Sequence, residues 1–365
     1  MTKPIRVLVV DDSATVRARI VEVLHADPSI MVVGECADGR DAIEQCRLLR
    51  PDVVTLDMIL PIMSGVAVTE YIMAYLPTPI LIVSASTNRG DLHKTYDALA
   101  AGALAVLDKP RADDDSDTWA TELVSTVRLV SRIKVITHPR AKLFPRPESS
   151  GAPASFDVPG TAVLSRPGPS RSLIVIGAST GGPAAVEHIL SRLPPSFPIP
   201  ILLVIHIAKT FGRAFADWLD GQVDIPVRDA VDGEPLPTVG TPGVIMAPPD
   251  VHLVVRNRKL RLTRDEPVFS CRPSVDTMFR SVAAELGGEA LGMLLTGMGR
   301  DGADGLLALR RRGALTVAQD EASSVIFGMP REAILLGAAE QVLPLDRMAP
   351  LLLSHGLSVA YEKPL

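Results

Sequence analysis

Residues 173–190 read LIVIGASTGGPAAVEHIL. Leu173–Ile176 is a short apolar, β-branched run that suits a buried strand. Gly177-Ala178-Ser179-Thr180-Gly181 follows, then Gly182 and Pro183, which stands where a helix can begin because its missing N–H is not needed there. A strand passed through a glycine-rich turn into a helix is the repeating unit of an α/β fold with a parallel sheet.

The same alternation extends in both directions from this unit. Towards the C-terminus, strand-like runs are Ile201–Ile205, Val244–Ala247, Ala290–Leu295, Ala314–Val317 and Gln341–Leu343. Between them lie helix-like pieces at Ala184–Leu193, Phe211–Leu219, Val275–Leu286, Asp304–Arg311 and Arg331–Leu336. His252–Val255 and Lys259–Thr263, around Asn257-Arg258, read as an antiparallel hairpin, so a mixed sheet is expected here. Towards the N-terminus, Arg6–Val10, Met31–Cys36, Val53–Leu56, Ile80–Ser84 and Ala105–Leu107 alternate with helical segments at Thr15–Ala26, Arg40–Leu49, Val66–Leu76, Leu92–Ala101 and Thr118–Ile136. This is the pattern of a doubly wound, flavodoxin-like (βα)5 parallel sheet. Ser13 suits the cap of its first helix and Gly102 the end of its fourth.

Between the two series, residues 138–172 carry Pro139, Pro145, Pro147, Pro153, Pro159, Pro167 and Pro169 among many Ser, Gly and Ala. No hydrophobic period runs through them. They read as a linker, with a structured proline-rich loop as the alternative. The expected division is therefore 1–137, 138–172 and 173–365. Two domains also suit 365 residues, since single cores stop growing near about 250–300.

A net charge of −5 argues against non-specific nucleic-acid binding. Three cysteines (Cys36, Cys46 and Cys271), none in a C-x-x-C pair, suggest neither a disulfide framework nor structural zinc. No signal-peptide core opens the chain and no run of about 18 apolar residues occurs, so a cytoplasmic protein without membrane insertion is expected.

In the first series, Asp11 and Asp12 follow the first strand, Asp57 the third, Ser84 ends the fourth and Lys109 follows the fifth. In an open parallel sheet these positions share the carboxyl edge, where ligands bind. Clustered carboxylates suit a hard cation such as Mg²⁺, and a carboxylate there can attack phosphorus. In the second series, Gly177-x-Ser179-x-Gly181 has the spacing of a nucleophile elbow. A phosphate-cradling loop and a purely structural turn are the competing readings. The Walker lysine and a G-x-G-x-x-G are both missing. A serine nucleophile needs a base and an orienting acid. His188, at 1.5 Å rise per residue along the following helix, lies roughly 13 Å away and is too far. His206 ends a strand at the serine's edge, and His252 stays open. Asp301, in LGMLLTGMGRDGADG, fits the acid, or equally a helix-capping aspartate.

VVDDS, TLDM, VSAS and DKP resemble a response-regulator receiver domain over residues 1 to about 137. IGASTGGP, VIH, APPDVHL, RPSVDTMFRSVA, LLTGMGRDGADG and AQDEASSVIFGMPREA resemble the catalytic domain of the chemotaxis protein-glutamate methylesterase (CheB) family. The first resemblance implies phosphorylation of Asp57 by a chemotaxis histidine kinase. It also implies Mg²⁺ on Asp11, Asp12 and Asp57, with Ser84 and Lys109 meeting the phosphoryl group. Val106 departs from it, standing where receivers usually carry an aromatic switch residue. The second implies Ser179 as nucleophile, His206 as base and Asp301 as acid, with Thr180 and Met298 at the oxyanion wall and no cofactor in the esterase site. The substrates would be glutamyl methyl esters, and glutamines, of chemoreceptors. Phosphorylation would activate a monomeric enzyme recruited to receptor arrays. A non-enzymatic adaptor built on an inactive esterase fold is the competing reading. A receiver driving a nucleic-acid-binding domain is another, but Arg310-Arg311-Arg312 is more simply a helix C-terminus.

Overall fold

The structure is a computed structural model that describes residues 3–85, 89–110, 116–133, 135, 171–207, 209–212 and 214–361. The expected linker, residues 138–172, lies outside the described residues apart from Arg171 and Ser172.

The N-terminal part runs β1 (Ile5–Val10), α1 (Ala14–His25), β2 (Ile30–Cys36), α2 (Gly39–Leu49), β3 (Val53–Leu56), α3 (Gly65–Tyr75), β4 (Ile80–Ser84), α4 (Arg89–Ala100), β5 (Ala105–Asp108) and α5 (Ser116–Val130). The five strands are parallel in the order β2-β1-β3-β4-β5. Chain direction across the sheet reverses between β1 and β3, which opens a crevice at their carboxyl ends. Both faces of the sheet are covered. Along β1, Leu8 and Val10 enter one core cluster while Val7 and Val9 enter another. That explains why its strands read as continuous apolar runs and not as an alternation. Local chemistry sets the helix starts. Ser13, Asp38, Ser64 and, in the second part, Ser274 each accept a backbone N–H from the first turn of their helix. Gly102 takes the left-handed conformation just past α4.

The C-terminal part runs β6 (Leu173–Ala178), α6 (Gly182–Leu190), β7 (Ile201–Ile205), α7 (Lys209–Gly212), α8 (Phe215–Asp220), β8 (Val227–Asp229), β9 (Val244–Met246), β10 (His252–Arg256), β11 (Lys259–Thr263), α9 (Val275–Glu285), β12 (Ala290–Leu294), α10 (Ala303–Arg311), β13 (Leu315–Gln319), α11 (Met329–Leu335), β14 (Gln341–Leu343) and α12 (Leu345–Tyr361). Seven strands form the sheet β14-β13-β12-β6-β7-β9-β8. The expected mixed sheet resolves into two. All seven strands are parallel, and β10–β11 form a separate antiparallel pair. The hairpin keeps to itself because Asn257 and Arg258, both left-handed at φ 55°, turn β11 straight back onto β10.

Three more boundaries differ from expectation. The fifth helix ends at Val130, not Ile136, because Ile133 and Val135 turn inward onto the cores. The helix expected over Phe211–Leu219 is divided between α7 and α8. The terminal α12 was not anticipated, as Pro350 inside it reads as a break.

The two parts meet through α4, which packs on α6 and α8. Tyr96 of α4 stands edge-on to Phe215 at 5.3 Å and tilted to Trp218 at 5.5 Å, and all three are buried. Trp218 Nε1–H donates to Asp97 Oδ1 at 2.8 Å. No helix among the described residues is long and apolar enough to cross a membrane.

Candidate functional site

Ser179 lies just beyond β6, in the middle of the seven-stranded sheet. The turn that carries it is tight. Gly182 N–H donates to Ser179 O at 2.7 Å, and Gly181 adopts φ 76°, where an L-residue would be strained. A Cβ on Gly181 would also stand 2.5 Å from Val325 Cβ. The next strand delivers His206. Ala178 pairs with Ile205, and His206 N–H donates to Ala178 O at 3.0 Å, so Ser179 and His206 leave neighbouring strands side by side. On the other flank of β6, β12 leads through Thr296, Gly297 and Met298 to Asp301. Gly297 must lack a side chain, since a Cβ there would stand 2.7 Å from Ser179 Cβ.

Asp301, 2% exposed, is the hub of the site. Its carboxylate accepts from His206 Nε2 at 2.9 Å and Ser274 Oγ at 2.8 Å, and from the N–H groups of Val275 at 2.7 Å and Asp276 at 3.0 Å. The last two are buried first-turn amides at the head of α9, which have no partner within the helix and favour a negative charge. Burial alone would raise the Asp301 carboxyl, but the His206 partner and these donors outweigh it and hold it below the usual carboxylate range. For His206, burial alone would favour the neutral ring. The bonds to Asp301 and then Cys271 outweigh that and push it up to about 9. An acceptor-only carboxylate on Nε2 fixes the tautomer of the neutral ring, leaving Nδ1 as its lone-pair nitrogen.

The backbone around Ser179 is sorted into committed and free donors. Ser179 N–H donates to Thr296 O at 3.0 Å, and Gly297 N–H to Ile326 O at 3.1 Å. The N–H groups of Thr180 and Met298 donate to nothing among the described residues. Thr296 holds this loop in place. Its hydroxyl donates to Thr180 O and accepts from Ile326 N–H, and its own N–H donates to Gln319 Oε1 at 2.7 Å. Thr296 and Gln319 are fully buried, as such a network requires.

The two other histidines weighed from the sequence, His188 and His252, are engaged with other partners. His188 bonds Asp346 at 2.7 Å. His252, fully buried, accepts from Ser274 N–H through Nδ1 and donates to Glu266 O through Nε2. It therefore braces Ser274, and through Ser274 the Asp301 carboxylate. Ser274, Thr296, Gln319, Gly297 and Cys271 were not found as site residues from the sequence. Ser274 and Gly297 do lie in the RPSVD and LLTGMGRDG segments that single the region out, which was the available signal.

At the edge of the N-terminal sheet, Asp11, Asp12 and Asp57 each bring a carboxylate oxygen to within 4.8 Å of one another. Lys109 Nζ stands 2.9 Å from both Asp11 Oδ2 and Asp57 Oδ2. Ser84, buried, closes the neighbouring strand and accepts the Lys109 N–H at 3.1 Å. Burial, with Asp11 nearby, pushes the Asp57 carboxyl up despite Lys109. Burial would lower Lys109, but the two carboxylates outweigh it and raise it. Three carboxylates and no nitrogen or sulfur make a donor set that fits a hard divalent cation such as Mg²⁺. Val106 lies on β5 opposite Ile82, packed against the core.

Comparison with known proteins agrees in both parts. The family model for the response regulator receiver domain matches residues 7–117, and that for CheB methylesterase matches residues 174–352. A protein-glutamate methylesterase/protein-glutamine glutaminase of Nitrosospira multiformis is 45% identical over 348 residues, 94% of this chain and 95% of that protein. One from Syntrophus aciditrophicus is 42% identical, over 98% of this chain and 99% of its own. Among solved structures, the catalytic domain of Thermotoga maritima CheB methylesterase is 35% identical over 51% of this chain and 98% of its own, with a TM-score of 0.47.

Proposed function

The chain belongs to the CheB family of protein-glutamate methylesterases/protein-glutamine glutaminases, and from that membership we propose a serine mechanism at the C-terminal site, controlled by phosphorylation at the N-terminal one. The protein is a chemotaxis hydrolase that cleaves glutamyl methyl esters and deamidates glutamine. The observation that carries the mechanism is His206, tied through Nε2 to Asp301 and set beside Ser179 on the neighbouring strand.

His206 Nδ1 takes the Ser179 proton as Oγ attacks the ester carbonyl. The N–H groups of Thr180 and Met298, free of other partners among the described residues, hold the oxyanion; that of Ser179 itself is engaged with Thr296. The C–O bond to methanol breaks as His206 returns the proton to the leaving oxygen. Water, deprotonated by the same ring, then attacks the acyl-enzyme, leaving glutamate and the free serine. With glutamine the leaving group is ammonia. No cofactor enters these steps. Chemoreceptors, reached at their arrays from the cytoplasm, are the substrates.

In the receiver, Asp57 accepts the phosphoryl group from the pathway's histidine kinase, and Ser84 and Lys109 meet its oxygens. Asp11, Asp12 and Asp57 would hold a Mg²⁺ there, which would supply charge neutralisation. Val106 leaves no aromatic switch on β5. Control runs instead through α4, which carries Tyr96 and Asp97 onto Phe215 and Trp218. The decisive experiment is Ser179→Ala. Methanol release from methylated receptor membranes is lost while Asp57 still takes phosphate; retained turnover rejects the serine mechanism.

A further inference from the structure

Cys271 has no part in the reaction above, yet its Sγ stands 3.7 Å from Nδ1 of His206. The opposite nitrogen, Nε2, is held by Asp301. A histidine with a carboxylate on one ring nitrogen and its other lone pair turned to a second donor is built like a metal ligand. The spacing suits one as well. Sulfur at about 2.3 Å and nitrogen at about 2.0 Å from a tetrahedral zinc stand about 3.5 Å apart.

The sulfur is aimed by a strained turn. Val268 and Cys271 exchange backbone hydrogen bonds of 3.2 and 2.9 Å across Phe269 and Ser270. Those two residues take left-handed φ values of 50° and 62° without being glycines. The next residue, Arg272, is anchored on Asp250 at 2.6 Å. Cys271 is half-buried, so a cation in solution can reach it, whereas Cys36 and Cys46 are buried in the receiver.

We infer that Cys271 Sγ and His206 Nδ1 form an inhibitory site for a soft divalent cation, with zinc the best fit and water completing the tetrahedron. Binding releases the thiol proton to solvent, and sulfur coordinates as thiolate. The cation then occupies the lone pair that Ser179 needs, so hydrolysis stops until the metal leaves. The receiver's all-oxygen carboxylate cluster selects hard cations instead, so the two sites respond to different metals. The inhibition rests on His206 acting as the base; the binding does not.

The test uses the full chain in chelator-free buffer. Zinc chloride is titrated while methanol release from methylated receptor membranes is followed. Cobalt(II) is titrated separately while absorption is recorded. Zinc should inhibit the wild type and EDTA should restore it. Cys271→Ser, compared with its own zinc-free rate, should need about tenfold more zinc or beyond for half-inhibition. Cobalt should give a thiolate-to-metal charge-transfer band that Ser179→Ala keeps and Cys271→Ser lacks. Equal zinc sensitivity in Cys271→Ser, or no thiolate band in the wild type, overturns the site. A thiolate band with undiminished methanol release overturns the inhibition and places the fault in His206 as base, not in the cation site.

Discussion

Asp301 Oδ2 accepts its 2.9 Å hydrogen bond from Nε2 of His206, so the ring's other nitrogen is the one that the proposed mechanism assigns to the Ser179 proton. An amide in place of that carboxylate can offer an N–H to the ring and favour the wrong tautomer. Asp301→Asn is therefore expected to lower the rate of methanol release on the order of 10⁴-fold while leaving receptor binding intact. A loss below about tenfold, measured at saturating substrate, would show that Asp301 serves only to anchor α9.

The raised His206 sets a pH dependence. The ring acts as a base only when neutral, and with a value of about 9 it is mostly protonated at pH 7. Below that value the neutral fraction grows tenfold per unit of pH. Methanol release per unit enzyme at low substrate, kcat/KM, should thus climb from pH 7 and level off near about 9. Removing the acid should move this limb down, since the Asp301 carboxylate is what holds the ring protonated. A plateau already reached at pH 7 contradicts the raised value.

Gly297→Ala tests the close approach behind Ser179. The new Cβ would stand 2.7 Å from Ser179 Cβ and 2.4 Å from Met329 Sδ. Both neighbours must shift, at about 1–3 kcal/mol of stability. A reacting group displaced by about 1 Å loses rate on the order of 10²-fold. Thermal unfolding and methanol release measured together should show a folded, less stable and nearly inactive protein. Wild-type activity would mean that the serine is not held where the loop places it.

Control by the receiver is read from the α4 contact. Asp97→Ala removes the acceptor of the Trp218 hydrogen bond without emptying the aromatic cluster. Loss of about 1 kcal/mol of docking should raise unphosphorylated activity about fivefold. Asp57→Asn should keep the low basal rate and ignore a phosphodonor. Equal methanol release by Asp57→Asn and wild type, with and without phosphodonor, would dissociate the receiver from the esterase.

Much of the scaffold was legible in the sequence because parallel strands buried on both faces declare themselves as apolar runs, and because Ser13 and Gly102 punctuate helices by local chemistry alone. Ser179 and Asp57 were legible for a related reason: each sits one residue past such a strand. His206 needed the strand beside it, and Asp301 needed the family's motifs. Ser274, Cys271 and Gln319 were out of reach of periodicity. They stand on loops or at a strand end, and their importance arises only when β12, β13 and α9 converge. The hairpin was found but misassigned to the main sheet, since pairing partners are a long-range property that two adjacent strands do not reveal. Helix α12 was missed because Pro350 is a local signal that tertiary packing overrode.

The placement of β6 has one more consequence. Its strand is flanked by β7, made shortly after it, and by β12, made far later, so the sheet around Ser179 is complete only when a distant segment has joined it. His206 precedes Asp301 by 95 residues, so synthesis delivers Ser179 and His206 well before the carboxylate that bonds the His206 ring. Under the proposed mechanism, hydrolysis therefore requires β12 to have joined the sheet beside β6, a dependence on completion of the fold that precedes any phosphate.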